Sequence, residues 1–124
     1  MKSDIKTESD VELMVNTFYH NLLEHAEIKP FFENVNLEEH MPHMIAFWQF
    51  VLLDKEGYKT NVFDKHVHMK LSPVHFSIWL KEFENTVLNL FEGEKAQMAI
   101  TRAQTIGYTF QNKLSQMGKL GDQS

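Results

Sequence analysis

The stretch Asp64 to Leu80, DKHVHMKLSPVHFSIWL, places three of the chain's seven histidines among Val, Met, Leu, Phe and Trp. An imidazole in such surroundings is a candidate metal ligand, because a neutral ring nitrogen suits zinc, iron and copper. A zinc site draws a full tetrahedral set from Cys, His and carboxylates. The chain has no cysteine and no HExxH, and His66, His68 and the distant His75 would converge only through irregular backbone. A carboxylate-bridged di-iron bundle requires Glu-x-x-His on a pair of helices, and no glutamate here has a histidine three residues later. His40 and His43 stand three apart and could share a metal, though such a pair is more commonly two neighbouring polar positions, one of them exposed. For any one of these histidines taken alone, a surface or hydrogen-bonded core position is the commoner role, and only agreement among several positions overturns it.

The elements that must hold these residues are helical. Val11, Met14, Val15, Phe18 and Leu22 recur at i, i+3, i+4 and i+7, and Ser9 with Glu12 forms a capping-box start. Met41, Met44, Ile45, Trp48, Val51 and Leu52 repeat the pattern, with Pro42 expected in a first turn that tolerates it. Ser72-Pro73 is an N-cap followed by proline at the first helical position; Phe76, Trp79, Leu80, Phe83 and Val87 carry a stripe to Phe91, and Gly93 closes it. Ala99, Ala103, Ile106, Phe110, Leu114 and Met117 make a fourth stripe ahead of a polar tail. Residues 26–36, AEIKPFFENVN, form a turn or short helix around Pro30 that sends Phe31 and Phe32 toward something apolar. Residues 54–72 are weakly periodic, a long connection of the kind that carries function, and they contain His66. With no repeat and no alternating strand pattern, the expectation is one all-α domain over residues 1–124, with residues 1–8 and 118–124 fraying.

Composition narrows the function classes. A formal charge of −5, a pI near 5.8 and twelve scattered Lys and Arg argue against a nucleic-acid surface. No apolar run approaches the ~20 residues of a membrane span, and the N-terminus MKSDIKTESD lacks the apolar core of a signal peptide. Together with the absence of cysteine this points to a soluble, cytoplasmic protein. Ten Phe, three Tyr and two Trp supply more flat aromatic surface than a core of this size needs, which suggests a core completed by a ligand.

Read in order and spacing, FYHNLL, KPFF, EEHMPHMIAFW and DKHVHMKLSPVHFSIWLKEF resemble the truncated haemoglobins, most specifically their third group, over roughly residues 10–115. The resemblance implies an all-α, two-over-two globin fold, residues 11–25 and 37–53 crossing over residues 73–91 and 95–117 as antiparallel pairs around a haem b, iron protoporphyrin IX. The family's iron ligand is the histidine of a Lys-His pair thirteen residues before the tryptophan of HFxxWL, a position held here by His66 ahead of Trp79. It implies a distal pocket of Tyr19, Trp79 and His40, with Met44, Phe47 and Trp48 lining the pocket and Phe32 wedged against the porphyrin. Lys65 and Tyr58 stand where they could reach the propionates, although a solvated face explains them equally. The family's common GNP before the proximal helix is replaced by KTNVF. By this resemblance His68 and His75 are half-exposed helix positions outside the site.

The function implied is binding of O2 and other diatomic ligands such as NO and CO. NO dioxygenase-like or peroxidase-like chemistry, with peroxide as a substrate and a reductase as partner, stays open, as does the choice between monomer and dimer. The competing readings are a haem-based sensor, disfavoured in a chain of 124 residues without an output domain, a haem-free helical interaction protein, and a non-haem metal site.

Overall fold

The computed structural model describes residues 2–33, 36–55 and 72–116. Among these residues four α-helices follow in order: α1, Glu8–Leu22; α2, Leu37–Leu53; α3, Pro73–Leu90; and α4, Glu94–Gln116, with a short 3₁₀ helix, Lys29–Phe32, between the first two. No strand occurs among the described residues. The fold is all-α, as expected: α1 packs on α2 and α3, α3 on α4, and α2 on α4.

Helix α1 begins two residues earlier than the Ser9/Glu12 box predicts. Thr7 is the N-cap: its hydroxyl accepts from the Asp10 N–H at 3.1 Å, while the Asp10 carboxylate accepts from the N–H groups of Thr7 and Lys6 at 3.1 and 2.8 Å. Thr7 and Asp10 have the same spacing as Ser9 and Glu12, and Asp10 satisfies two backbone donors at once. The expected stripe Val11, Met14, Val15, Phe18 and Leu22 is buried, joined by Tyr19. The helix stops at Leu22, short of the expected 25, where Glu24 and His25 N–H groups turn back to the carbonyls of Asn21 and Leu22.

Asn36 caps α2 by accepting from the N–H groups of Glu38 and Glu39. Because that cap sets the start at Leu37, Pro42 falls in the second turn and not the first, and removes one backbone hydrogen bond there. The helix ends on Asp54 in the left-handed conformation, φ 54°. Ser72 and Pro73 open α3 as the sequence suggests, but the chain is already extended at Phe91, so Gly93 does not close that helix. It serves the start of α4, where its carbonyl accepts from the Gln97 N–H at 3.0 Å. Ala96, Ala99 and Ala103 bring α4 close to its neighbours, each 1% exposed or less.

Residues 2–8, expected to fray, are docked on the body of the fold, while Met1 lies outside the described residues. Ile5 is 1% exposed and joins the core. The Asp4 carboxylate caps α4, accepting from the N–H groups of Lys95 and Ala96, both at 2.9 Å. The Ser3 carbonyl accepts from the Glu92 N–H, and the Lys2 ammonium donates to the Leu88 carbonyl. A side chain as large as Ile5 contributes roughly 1.5–3 kcal/mol when fully buried, which together with the arm's hydrogen bonds offsets the entropy lost on ordering it. The C-terminal tail expected at 118–124 lies outside the described residues.

Candidate functional site

The four α-helices and the 3₁₀ segment enclose an apolar cleft with about 830 Å³ of space, its mouth included. Each element contributes through the face its periodicity turns inward. Phe18, Tyr19 and Leu22 come from α1, Phe31 and Phe32 from the 3₁₀ helix, and Met44, Phe47 and Trp48 from α2. His75, Phe76 and Trp79 come from α3; Ile106, Gly107 and Phe110 come from α4.

Phe83 organises the aromatic side chains. It stacks on Trp48 at 4.8 Å between ring centroids and on Trp79 at 5.9 Å, with interplanar angles of 22° and 20°. Phe18 stands edge-on to Phe83, Tyr19 and Trp79, at 5.2, 5.2 and 6.0 Å. Such offset and edge-to-face pairs each add roughly 0.5–1.5 kcal/mol beyond their buried area. The two tryptophans are thereby held as rigid walls.

The polar groups of the cleft are few, and Tyr19, Trp48 and Trp79 carry donors without a partner among the described residues. Tyr19 is 8% exposed, and its hydroxyl makes no hydrogen bond among the described residues; burial pushes the phenol's pKa up, so it stays a neutral O–H. The indole N–H groups of Trp48 and Trp79 likewise have no hydrogen-bond partner among the described residues. No side-chain nitrogen or oxygen that is fully closed off lacks a partner among those residues, so these donors open onto space. Such donors can serve a ligand that bears an acceptor.

Of the residues singled out in the sequence, Tyr19, Phe32, Met44, Phe47, Trp48 and Trp79 come together as cleft walls. His40 does not line the cleft; half-buried, it presents its ring edge-on to Tyr19 at 5.9 Å, while His43 is exposed. His66, Tyr58 and Lys65 lie outside the described residues, as does His68. No group of three potential metal ligands occurs among the described residues.

The resemblance implies a place for His75 outside the site, whereas the structure has it in the cleft wall. The signal was available in the spacing, since His75 and Trp79 are four apart and share one face of α3. Outside the cleft, His25 Nε2 lies 2.9 Å from Glu82 Oε1 and the Asn21 amide donates to the Thr86 hydroxyl at 3.5 Å, tying the end of α1 to α3. Among the described residues no helix is long and apolar enough to cross a membrane.

No family model matches the sequence. Over 125 residues the chain is 27% identical to the group 3 truncated haemoglobin ctb of Campylobacter jejuni, covering 95% of this chain and 98% of that one. The crystal structure of a group III truncated haemoglobin from Campylobacter jejuni superposes with a TM-score of 0.82 at 27% identity, over 92% of this chain and 95% of the other. Two substituted forms of a Tetrahymena pyriformis truncated haemoglobin, in the Fe(III) state, give TM-scores of 0.69 and 0.70 at 20% and 21% identity, each over 95% of both chains.

Proposed function

We propose that this chain, which has the truncated-haemoglobin fold and resembles the third group of that family in sequence, is a haem protein that binds O2 and other diatomic molecules in its cleft. The observation that carries the reading is the cleft's chemistry: aromatic and aliphatic walls from every helix, with unpaired hydrogen-bond donors among them. A flat, largely apolar porphyrin fits those walls, and the donors suit what it would hold. The absence of cysteine removes thioether attachment, so haem b, held without a covalent bond, is the form expected.

When bound, haem supplies an iron centre that coordinates diatomic molecules and can carry redox chemistry on them. The chain's own residues then divide the work. His66 holds the iron; the support for it is the thirteen-residue spacing to Trp79 and the resemblance of the surrounding motif. Phe32, Met44, Phe47 and Trp48 pack against the ring, and Lys65 and Tyr58 serve its carboxylates. Tyr19 and Trp79 offer hydrogens to the ligand. His40, beside Tyr19 at the cleft's edge, gates entry. A second reading, reaction of bound O2 with NO or turnover of peroxide with electrons returned by a reductase, is favoured by the paired donors, because ligand retention suits redox chemistry better than delivery.

The visible spectrum of the protein supplied with haemin tests the proposal. A Soret band is expected for the wild type and for His68→Ala, while His66→Ala loses stable haem retention. A wild type that shows no Soret band after haem is supplied overturns the haem reading in favour of a haem-free interaction protein. Equal retention in the two variants overturns His66 as the ligand.

A further inference from the structure

His75 is the one side chain of the described cleft wall that the reading above leaves without a task and that contains a basic nitrogen. Its surroundings fix both its position and its tautomer. It is the third residue of α3, where its Nδ1 accepts a hydrogen bond from the Ser72 backbone N–H at 2.9 Å and lies 3.0 Å from the Ser72 hydroxyl. The ring also packs edge-on against Phe31 at 4.8 Å. A neutral imidazole whose Nδ1 accepts can carry its proton only on Nε2. That hydrogen finds no partner among the described residues. The polar function His75 has left for the cleft is therefore a donor, held by a backbone contact on one side and an aromatic ring on the other.

Its burial separates it from Tyr19 and Trp48. Tyr19 and Trp48 are 8% and 6% exposed, whereas His75 is half-buried, as are Trp79 and Phe31, which places these three toward the cleft's edge. An occupant with an apolar body and carboxylates on one edge would keep its body among the buried aromatics and its charged edge near water. We propose that His75 is a further binding residue of the cleft, donating from Nε2 to a carboxylate at the rim of the bound porphyrin. The inference rests on the haem reading and adds a recognition element to it: the described wall contains no Lys or Arg, so His75 is what those residues offer an anionic edge.

Three variants of the full chain, titrated with haemin and with its dimethyl ester, test this. In His75→Phe the affinity for haemin is expected to fall about 10-fold or more, the scale of a lost hydrogen bond to a charged group, with less than about a twofold change for the ester. His75→Glu retains an N3 carboxylate to accept from the Ser72 N–H, the ordinary capping-box arrangement, so the apoprotein's helix content and melting temperature hold while haemin affinity falls further than in His75→Phe. His75→Gln keeps both cap and donor and restores most of the affinity. An equal loss for acid and ester, or no loss for either, overturns the role of His75 and leaves the haem reading intact. A wild type that binds neither porphyrin overturns both.

Discussion

Two regions of this molecule handle their polar groups in opposite ways. At the corner where the N-terminal arm meets α4, each group finds a partner within the chain: the Asp4 carboxylate takes the N–H groups of Lys95 and Ala96, the Ser3 carbonyl takes that of Glu92, and the Lys95 ammonium reaches the Leu52 carbonyl at 2.5 Å. In the cleft, Tyr19, Trp48 and Trp79 present donors that nothing among the described residues accepts. A satisfied corner is complete without a guest. Donors left open in an apolar cleft become useful when something arrives, so substitutions in the two regions should register in different measurements.

The largest effect is expected at Gly93. Its φ of 141° is a conformation that side chains rarely adopt, and a Cβ there would stand 2.5 Å from Asp4 Cγ. Gly93→Ala must strain the backbone, push Asp4 off its two N–H donors, or both. A loss of about 2–4 kcal/mol in unfolding free energy follows from backbone strain of this kind together with a lost cap. Denaturant titration measures it, and haem affinity of the folded protein should be unchanged. A loss below ~0.5 kcal/mol would mean the arm is not clamped there.

Tyr19→Phe sharpens the contrast from the other side. On the proposed reading O2 would carry partial negative charge when held, and the hydroxyl would give it a charge-assisted hydrogen bond of about 1.5–3 kcal/mol. Its loss should speed O2 dissociation roughly 10–100-fold in stopped flow, since each ~1.4 kcal/mol is tenfold and such changes fall mostly on the off-rate. CO is less polarised, and its release should change much less. Trp79→Phe should act in the same direction. The apoprotein should be as stable as wild type, because the hydroxyl removed has no hydrogen bond to lose among the described residues. O2 release within about twofold of wild type in both variants would mean that these donors do not hold the ligand.

What could be read from the sequence follows the same division. The buried stripes of the four helices were legible because their cause is local: Phe18 and Leu22, or Phe83 and Val87, share a face by spacing alone. The cleft walls at Met44, Phe47 and Trp48 were legible from the resemblance, and the structure brings them together. The arm was not legible, since Asp4 and Lys95 are 91 positions apart and no local pattern distinguishes a polar arm that docks from one that frays. The start of α1 was ambiguous for a different reason: two boxes of equal spacing compete, and only the double hydrogen bond to Asp10 decides. His75 fell between, because a residue at the third position of a helix can face solvent, cap the helix or line a cleft, and the choice depends on where Phe31 packs.

The smallest expected effect tests whether the corner is electrostatic as well as geometric. Burial alone would raise the Asp4 pKa, but the N–H groups of Lys95, Ile5 and Ala96, with the charge of Lys95, outweigh it and hold the carboxyl below its usual value. A carboxyl whose folded pKa is depressed binds fewer protons in the native than in the unfolded chain. It therefore adds stability that is fully present above the unfolded pKa and is lost as pH falls through the folded one. Asp4→Asn keeps the shape and one acceptor but removes the charge from the N-terminal end of α4, where a negative charge is worth about 0.3–1 kcal/mol. Thermal unfolding of the two proteins should show wild type more stable by about that amount near neutral pH, with the gap closing on acidification below the usual carboxylate range. A gap that persists unchanged into strong acid would mean that Asp4 acts through geometry alone, and that the arm is held by Ile5 and the backbone contacts of Ser3.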